Sequence, residues 1–372
     1  MKAVFDREGL LAAFQVVSAV APSRTIKPIL QNVKMTAAAD RTVLLATDIE
    51  TVGVRMEVRG VQVEEPGEAL LPMARALPIF REARDRDLHI EADDTNTMIR
   101  TAHSEFELPG EDPSQYPDVA QFTGEAYHSL KAGALREMIV RTLFAAATES
   151  ARYAMTGVLW ELHGDRARLV ATDGRRLALV DGQATYKGKH TTEGQTPVVP
   201  SKTMNLLEKN LVDPDEEIHV RFGPNDVIFK TSRAEIYGRL VEGRFPPYRE
   251  VIPKKTPIKI PLNVGPLISA CRQAAILTDD ETRGVDFEFG DGKLTLKAKV
   301  ADKGRAKVEL PISYEAKPMT VTFDPKLIID MLRILDDDAE ISLEMVDATT
   351  AALFKAGPHY QYVVMPLMRD NR

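Results

Sequence analysis

The sequence is poor in the residues from which several kinds of site are built. It has a single cysteine, Cys271, so neither an intrachain disulfide nor a cysteine-cluster zinc site can form. Its seven histidines are scattered and make no His-x-x-His or HExxH pair. A GxxxxGK[ST] phosphate loop and a GxSxG element are also missing. The motifs therefore predict no catalytic residue, no metal site and no cofactor.

Long apolar segments are missing as well. The charge-free stretch 9–23 spans 15 residues, contains Gln15 and Ser18, and falls short of the roughly 18 apolar residues that a membrane span needs. The charged residues 6–8 argue against a secretory signal peptide. We expect a soluble, cytoplasmic protein that does not contact membranes.

The composition is that of a globular protein. The chain has 372 residues, of which 44% are hydrophobic and 28% charged, so extensive disorder is excluded. Its length suggests two or three domains. The net charge of −7, taken alone, argues weakly against binding to nucleic acid.

An internal repeat organises the chain. Residues 40–48 read DRTVLLATD and residues 165–173 read DRARLVATD, so that six of nine positions match at an offset of 125. Three such units would account for nearly the whole length. A chance similarity between unrelated domains is the alternative, and the common order of elements in all three thirds argues against it.

Each third of the chain shows the same order of patterns. An apolar face at helical spacing comes first, then strand-like alternation, then a second helical pattern that begins near a proline, and finally two alternating runs typical of a β-hairpin. In the first third Pro78 lies inside the second helical pattern, where we expect it to kink or shorten the helix. The sequence predicts an α+β fold of three similar domains, 1–122, 127–253 and 254–372, each with two helices and antiparallel sheets.

Charge is unevenly placed along these elements. The six helical windows together carry an excess of Lys and Arg, as in residues 72–86 with Arg75 and Arg81, although the whole chain is acidic. If the helices shared one surface, that surface would attract phosphate. Ordinary solvated helix faces are the alternative, and the small numbers of charges do not separate the two.

Three segments together carry a family resemblance. The run RLVATDGRRLALV at 168–180 has Asp-Gly between two strand-like patterns, which indicates a tight hairpin. The others are VEGRFPPYREVIP at 241–253 and YVVMPLMRD at 362–370. Combined with the threefold repeat, they resemble the bacterial DNA polymerase III β subunit family, the sliding clamps, over the full length.

The resemblance implies a fold, a function and partners. It implies a head-to-tail homodimeric ring with helices lining the hole and sheets outside, and no chemistry performed by the ring itself. The ring would encircle double-stranded DNA without sequence preference and tether the DNA polymerase III catalytic subunit. The clamp loader and other polymerases and repair proteins would bind it through short peptides. Retention on DNA would be topological, so a few contacts to phosphate suffice.

By motif, the resemblance also implies residues that contact DNA: Arg24, Arg75, Arg152 and Tyr153. Three positions depart from the family pattern there. Glu149 stands where a neutral amide is frequent, Ala154 replaces a second aromatic residue, and Ala74 occupies the place of an arginine that Arg75 would replace.

The second implied site is a hydrophobic pocket between domains two and three that accepts partner peptides. Its walls would be Met155, Thr172, Gly174, Arg175, Arg176, Leu177, Pro246, Val251, Val363, Val364, Met365, Pro366 and Leu367. Arg175, Glu250 and the extended tail after YVVMP depart from the family pattern. We expect Glu250 and the tail to alter peptide preference. Without the other matches, the Val-Val-Met run would be read as a core edge strand.

Two other classes of function stay open on the sequence alone. A nuclease or phosphotransferase could bring separated carboxylates together in space. A repeat-built adaptor could bind peptides but not DNA. Retention on DNA that depends on topology separates a clamp from both.

Overall fold

A computed structural model describes residues 1–93, 95–149, 153–279, 283–301 and 303–368. In this part of the chain there are six α-helices, three short 3-10 helices and 26 strands. The α-helices, at the places where the sequence predicts them, are α1 Arg7–Ser18, α2 Met73–Glu82, α3 Ala132–Leu143, α4 Ser201–Asn210, α5 Val264–Ala275 and α6 Pro325–Leu332. Each third of the chain contributes two of them.

The strands are also divided almost evenly among the thirds. The first third has β1 Lys2–Asp6, β2 Asn32–Ala37, β3 Thr42–Thr47, β4 Val52–Val58, β5 Val61–Glu65, β6 Gly67–Pro72, β7 Asp87–Ala92, β8 Asn96–Arg100 and β9 Glu105–Pro109. The second has β10 Tyr127–Lys131, β11 Gly157–His163, β12 Arg166–Thr172, β13 Arg176–Gln183, β14 Thr185–Lys187, β15 Val198–Pro200, β16 Glu217–Phe222, β17 Asp226–Lys230 and β18 Ala234–Arg239. The third has β19 Ile258–Asn263, β20 Val285–Gly290, β21 Lys293–Val300, β22 Gly304–Pro311, β23 Met319–Phe323, β24 Glu340–Met345, β25 Ala352–Ala356 and β26 Tyr360–Val364.

The helices form where apolar periodicity and capping agree. Leu10, Phe14 and Val17 are fully buried on α1, as their spacing predicts. Phe14 meets Phe80 of α2 edge to face, with ring centroids 5.1 Å apart. Asp6 caps α1 by accepting a hydrogen bond from the Gly9 amide at 2.9 Å. The face of α1 that the amphipathic pattern predicts is therefore the face that the helix buries.

Of the two effects expected of Pro78, a kink or a shortened helix, the shortening does not occur. The helix continues through Pro78 to Glu82. A proline at this position removes the hydrogen bond that would reach the carbonyl of residue 74. Ala74 is exposed, so solvent can satisfy that carbonyl.

The chain divides into two compact units. The first contains Met1–Arg136, Ala184–Thr192 and Val199–Val241, and the second contains Glu137–Gln183, Glu193–Val198 and Glu242–Arg372. The first unit holds an antiparallel sheet of five strands in the order β5-β1-β7-β8-β9 and one of nine in the order β14-β10-β16-β17-β18-β4-β3-β2-β6. The second holds a sheet of eight, β15-β11-β12-β13-β26-β25-β24-β19, and one of four, β22-β21-β20-β23.

Two strand pairings join neighbouring thirds of the chain into continuous sheets. In the first unit β18 pairs with β4, with Ala234 opposite Met56. In the second unit β13 pairs with β26, with Leu177 opposite Val363. Each unit therefore contains one third of the chain together with part of the middle third. The domain boundaries at 122, 127, 253 and 254 stay a prediction.

Candidate functional site

An apolar cavity of about 410 Å³ opens in the second unit where β12 and β26 end and β13 begins. The segment that contains residues 246–251 closes another side of it. The cavity is lined by Tyr153, Met155, Thr172, Gly174, Arg175, Arg176, Leu177, Pro246, Pro247, Tyr248, Glu250, Val251, Val363 and Met365. We call it the apolar pocket. Its volume and apolar walls suit the side chains of a short peptide.

Ten of the thirteen predicted wall residues line this pocket, and three do not. Val364 is fully buried and points to the opposite face of β26, because successive strand residues alternate. Pro366 is also buried. The backbone amide of Leu367 donates to the carbonyl of Thr322 at 2.8 Å, which directs the chain towards β23.

Four lining residues were absent from the predicted walls. Pro247 and Tyr248 belong to a segment from which only Pro246 and Val251 were chosen. Glu250 was recognised only as a departure from the family pattern. Tyr153, which the sequence predicts to contact DNA, also lines the pocket. Pro247, Tyr248 and Glu250 lie in the sequence between Pro246 and Val251, which were both predicted to line the pocket. That position was the signal that could have identified them.

The hairpin between β12 and β13 forms one edge of the pocket, as Asp-Gly predicts. Gly174 has φ of 89°, which disfavours any side chain there. Asp173 accepts hydrogen bonds from the amides of Arg175 at 2.9 Å and Arg176 at 3.1 Å. The Thr172 hydroxyl donates to the Arg176 carbonyl at 2.6 Å. These side chain–backbone bonds fix the tip of the hairpin.

The guanidinium of Arg176 is bonded to other groups of the protein. Its guanidinium donates to Asp330 at 2.8 Å, to Asp173 at 3.1 Å and to the carbonyl of Phe144 at 2.8 Å. Its side chain is only 11% exposed. Arg176 therefore positions the pocket wall more than it offers a charge to a ligand.

Arg175 is different. Its side chain is 56% exposed, and its Nη1 lies 3.9 Å from Asp324 Oδ2, at the limit of an ion pair. The backbone carbonyl of Arg175 accepts a hydrogen bond from the amide of Met365 at 3.0 Å. Arg175 thus joins the hairpin to the end of β26 and leaves its guanidinium in solvent.

A polar network holds Tyr248 against the pocket from behind. The Tyr248 hydroxyl donates to Glu161 at 2.9 Å and accepts from Arg249 Nε at 3.1 Å. Arg168 forms two hydrogen bonds to Asp181, at 2.6 and 2.9 Å, and its Nη1 lies 3.5 Å from the Tyr248 hydroxyl. Burial, and then the charge of Glu161, raise the pKa of Tyr248 despite the opposing effect of Arg168, so the phenol stays protonated near neutral pH.

The residues predicted to contact DNA are distributed over the chain. Arg24, in the loop after α1, and Arg75, in the first turn of α2, are exposed and belong to the first unit. Tyr153 belongs to the second unit, and Arg152 lies outside the described residues. Glu149, which would repel phosphate, is exposed.

Among the residues that the structure describes, no group of three or more His, Cys, Asp or Glu side chains could hold a metal ion. Cys271 is buried on α5, and burial raises the pKa of its thiol to about 12, which makes it a poor nucleophile. No helix in the described ranges is both long and apolar enough to cross a membrane.

Three family models match the chain in succession. They describe the N-terminal, central and C-terminal domains of the DNA polymerase III beta subunit, at residues 1–120, 129–247 and 249–368. The chain is 29% identical over 374 residues to the beta sliding clamp of Vibrio cholerae and 28% identical to that of Pseudomonas putida, covering 99% of this chain and all of each relative. The crystal structure of a DNA polymerase sliding clamp from Pseudomonas aeruginosa superimposes with a TM-score of 0.92 at 26% identity, over 99% of this chain and all of that one.

Proposed function

The chain belongs to the DNA polymerase III β subunit family of bacterial sliding clamps, which are non-catalytic processivity factors, and we propose that two copies close head to tail around duplex DNA. The succession of three matching family models from residue 1 to residue 368 carries this proposal. The helices would line the hole and the sheets would form the outside. A closed ring of this kind keeps a replicative polymerase on its template without reading sequence.

Two open sheet edges support the head-to-tail arrangement. Strand β9 is an edge of the five-stranded sheet and β22 is an edge of the four-stranded sheet. An unpaired edge exposes backbone donors and acceptors that another strand can use. In each unit, the other sheet already continues from one third of the chain into the next. The β18–β4 and β13–β26 pairings each join two neighbouring thirds of one chain. Pairing β9 of one copy with β22 of another would join the first third of one chain to the last third of the next in the same way.

The side chains of the two edges are complementary. Strand β9 carries Glu105 and Glu107, and Phe106 is 37% exposed although it is large and apolar. Strand β22 carries Arg305, Lys307 and Glu309 on its exposed positions, and Lys307 forms an ion pair with Glu309 at 3.1 Å, so Arg305 is its free cation towards a partner strand among these three. Opposite charges across paired strands and a covered aromatic ring favour this pairing over pairing of either edge with itself.

Contacts to DNA need only be weak, because the ring retains its substrate by topology. We assign Arg24, Arg75, Arg152 and Tyr153 to the phosphate backbone, as the family resemblance implies. Contacts to phosphate carry no sequence information and permit sliding. The helical elements carry an excess of Lys and Arg, so the surface that faces the duplex would be positive although the whole chain has a net charge of −7.

The apolar pocket would bind short peptides from the DNA polymerase III catalytic subunit, the clamp loader, other polymerases and repair proteins. Each buried aliphatic or aromatic anchor contributes about 1.5–3 kcal/mol. A micromolar complex requires about 8 kcal/mol, so two anchors need additional polar contacts. Since a bacterial chromosome lies in the cytoplasm, we propose that the protein works there.

Retention on circular DNA tests the ring. The protein is loaded onto nicked circular DNA by a clamp loader, separated on a sizing column, and the DNA is then linearised. We expect the protein to stay on the circle and to leave the linear form. Equal loss from both forms after verified loading would favour the adaptor, and equal retention on both would indicate direct binding and reopen the enzyme hypotheses.

A matched set of variants tests the DNA contacts. We expect Arg24→Ala and Arg75→Ala to slow loading while the dimer persists in sedimentation. Arg166→Ala removes the same charge from an exposed position on β12 and should leave loading unchanged. Equal effects of all three changes would show that general charge, and not these positions, governs loading.

A further inference from the structure

A second cavity, of about 490 Å³, opens in the first unit against the nine-stranded sheet. Val43 and Leu45 of β3 line it together with Glu57 of β4. Val43 lies directly opposite Glu57 in the β3–β4 pair. The rest of the wall is mostly polar and comes from β2, β6, β17, β18, the turns next to them and the segment after β9. We call it the polar cavity.

The internal repeat shows what the same position holds in the second unit. The nine matching residues place Val43 at the position of Arg168. Arg168 lies opposite Asp181 in the β12–β13 pair, as Val43 lies opposite Glu57. The guanidinium of Arg168 donates to both carboxylate oxygens of Asp181, at 2.6 and 2.9 Å. In the first unit the carboxylate is present, but a valine replaces the arginine that would pair with it.

Glu57 differs from the other carboxylates in the described wall of the polar cavity, because they already have partners. Three ion pairs join wall residues to one another: Lys34 with Glu68 at 2.8 Å, Lys230 with Glu235 at 3.4 Å, and Arg55 with Asp118. Glu57 is exposed and forms no ion pair with any residue that the structure describes. Its negative charge is therefore left for a ligand.

Two exposed arginines, Arg41 and Arg233, also line the polar cavity. The repeat offers a comparison for the first of them. Arg41 stands at the position of Arg166, which is exposed on β12 two residues before Arg168. That neighbouring cation does not prevent Arg168 from pairing with Asp181, since water weakens the repulsion between exposed charges.

We propose that the polar cavity binds an arginine side chain of a partner protein, with its guanidinium on Glu57 and its methylene groups against Val43 and Leu45. A guanidinium can donate two parallel hydrogen bonds to one carboxylate. Its apolar stem suits the aliphatic side chains of β3. The pair of Arg168 and Asp181 is the internal precedent for this contact. The site is independent of the apolar pocket, because its wall residues belong to the first unit.

An acidic side chain is the other ligand that the wall could attract, through Arg41 and Arg233. The repeat favours the arginine, since the two units share the strand pair and its carboxylate but not the guanidinium between them. Exposed ion pairs contribute modestly, so we expect the cavity to prefer a guanidinium about 3-fold over an uncharged side chain of the same shape. The preference should shrink as salt is added.

Methyl nuclear magnetic resonance of the full chain, labelled at valine and leucine, tests the proposal. The probes are N-acetyl-arginine amide, its uncharged isostere N-acetyl-citrulline amide, and the α-amide of N-acetyl-glutamate. The arginine probe should shift the methyl signals of Val43 and Leu45 saturably and bind about 3-fold or more tightly than the citrulline probe. The variant Glu57→Gln should bind these two probes equally.

Two further variants sharpen the result. Val43→Arg supplies the missing guanidinium from the chain itself, so the arginine probe should no longer shift the Leu45 methyl signals of that variant. Glu65→Gln removes an exposed carboxylate from β5, outside the polar cavity, and should keep the preference of the wild type.

Several outcomes would overturn the proposal. They are the absence of a shift with the arginine probe, equal binding of the arginine and citrulline probes by the wild type, and a preference that survives in Glu57→Gln. Shifts caused by the glutamate probe alone would assign the cavity to an acidic side chain and would overturn it as well. Because the apolar pocket takes no part in these measurements, none of these outcomes bears on the ring or on peptide binding.

Discussion

A pair of histidines in the first unit makes the stability of the fold sensitive to mild acid. The Nδ1 atoms of His128 and His190 lie 2.6 Å apart, and the backbone amide of Phe222 donates to His190 Nε2 at 2.9 Å. Because Nε2 accepts, the proton of neutral His190 must lie on Nδ1 and point at His128 Nδ1. A second proton on His190 would break the bond from Phe222.

The structure gives the sign and size of the effect. Burial, and then the charges of His128 and Arg221, lower the pKa of His190 from 6.5 to about 4. Below pH 6.5 the unfolded chain binds this proton and the native protein does not, so stability is complete above pH 6.5 and is lost as the pH falls towards 4. The full shift corresponds to about 3 kcal/mol, and solvent screening of this half-buried ring reduces it to about 1.5 kcal/mol.

The substitution His190→Gln tests this account. A glutamine can donate to His128 and accept from Phe222 but does not titrate. In urea unfolding followed by circular dichroism at pH 7.5, 6, 5 and 4.5, the variant should lose about 1.5 kcal/mol less than the wild type across the series. His359→Gln, at an exposed position, should behave as the wild type. Parallel pH profiles of wild type and His190→Gln would refute the reasoning.

Three further predictions follow from individual contacts. Met365→Ala should weaken peptide binding about 5-fold in fluorescence polarisation, and Leu367→Ala should do so much less, since only Met365 lines the pocket; equal losses would contradict this assignment. Glu107→Arg should shift the dimer towards monomer in analytical ultracentrifugation, and adding Arg305→Glu should reverse the shift; a dimer unaffected by the single change would contradict the proposed edge pairing. Cys271 should resist a thiol reagent until urea is added, because the thiol is buried with a raised pKa; rapid labelling of the native protein would contradict the burial.

Local patterns explain most of what the sequence could predict. The helical faces, such as Leu10, Phe14 and Val17, were visible because an amphipathic helix repeats its apolar residues every three or four positions. The hairpin at Asp173 and Gly174 was visible because a tight turn requires particular residues at particular places. Both signals lie within a few residues of the structure that they specify.

The parts that could not be predicted depend on residues far apart in the chain. Tyr248 is held by Glu161, 87 positions away, and no local pattern indicates that partnership. Strand pairings such as β18 with β4 use backbone hydrogen bonds that any sequence can form. Tyr153 shows a further limit, since the motif around it identifies a family segment but not whether the side chain lines the pocket.

The apolar pocket depends on a single strand register. Leu177 lies directly opposite Val363 in the β13–β26 pair, and both line the pocket. A slip by one residue would turn Val363 to the other face and bring Val364 into its place. The same pairing joins the middle third of the chain to the last third. A ligand that fills the pocket therefore stabilises the junction between them, by about 2.7 kcal/mol at a concentration one hundred times its dissociation constant. The binding of a ligand in the pocket and the integrity of this sheet are thus expected to be thermodynamically linked, because both require the same register.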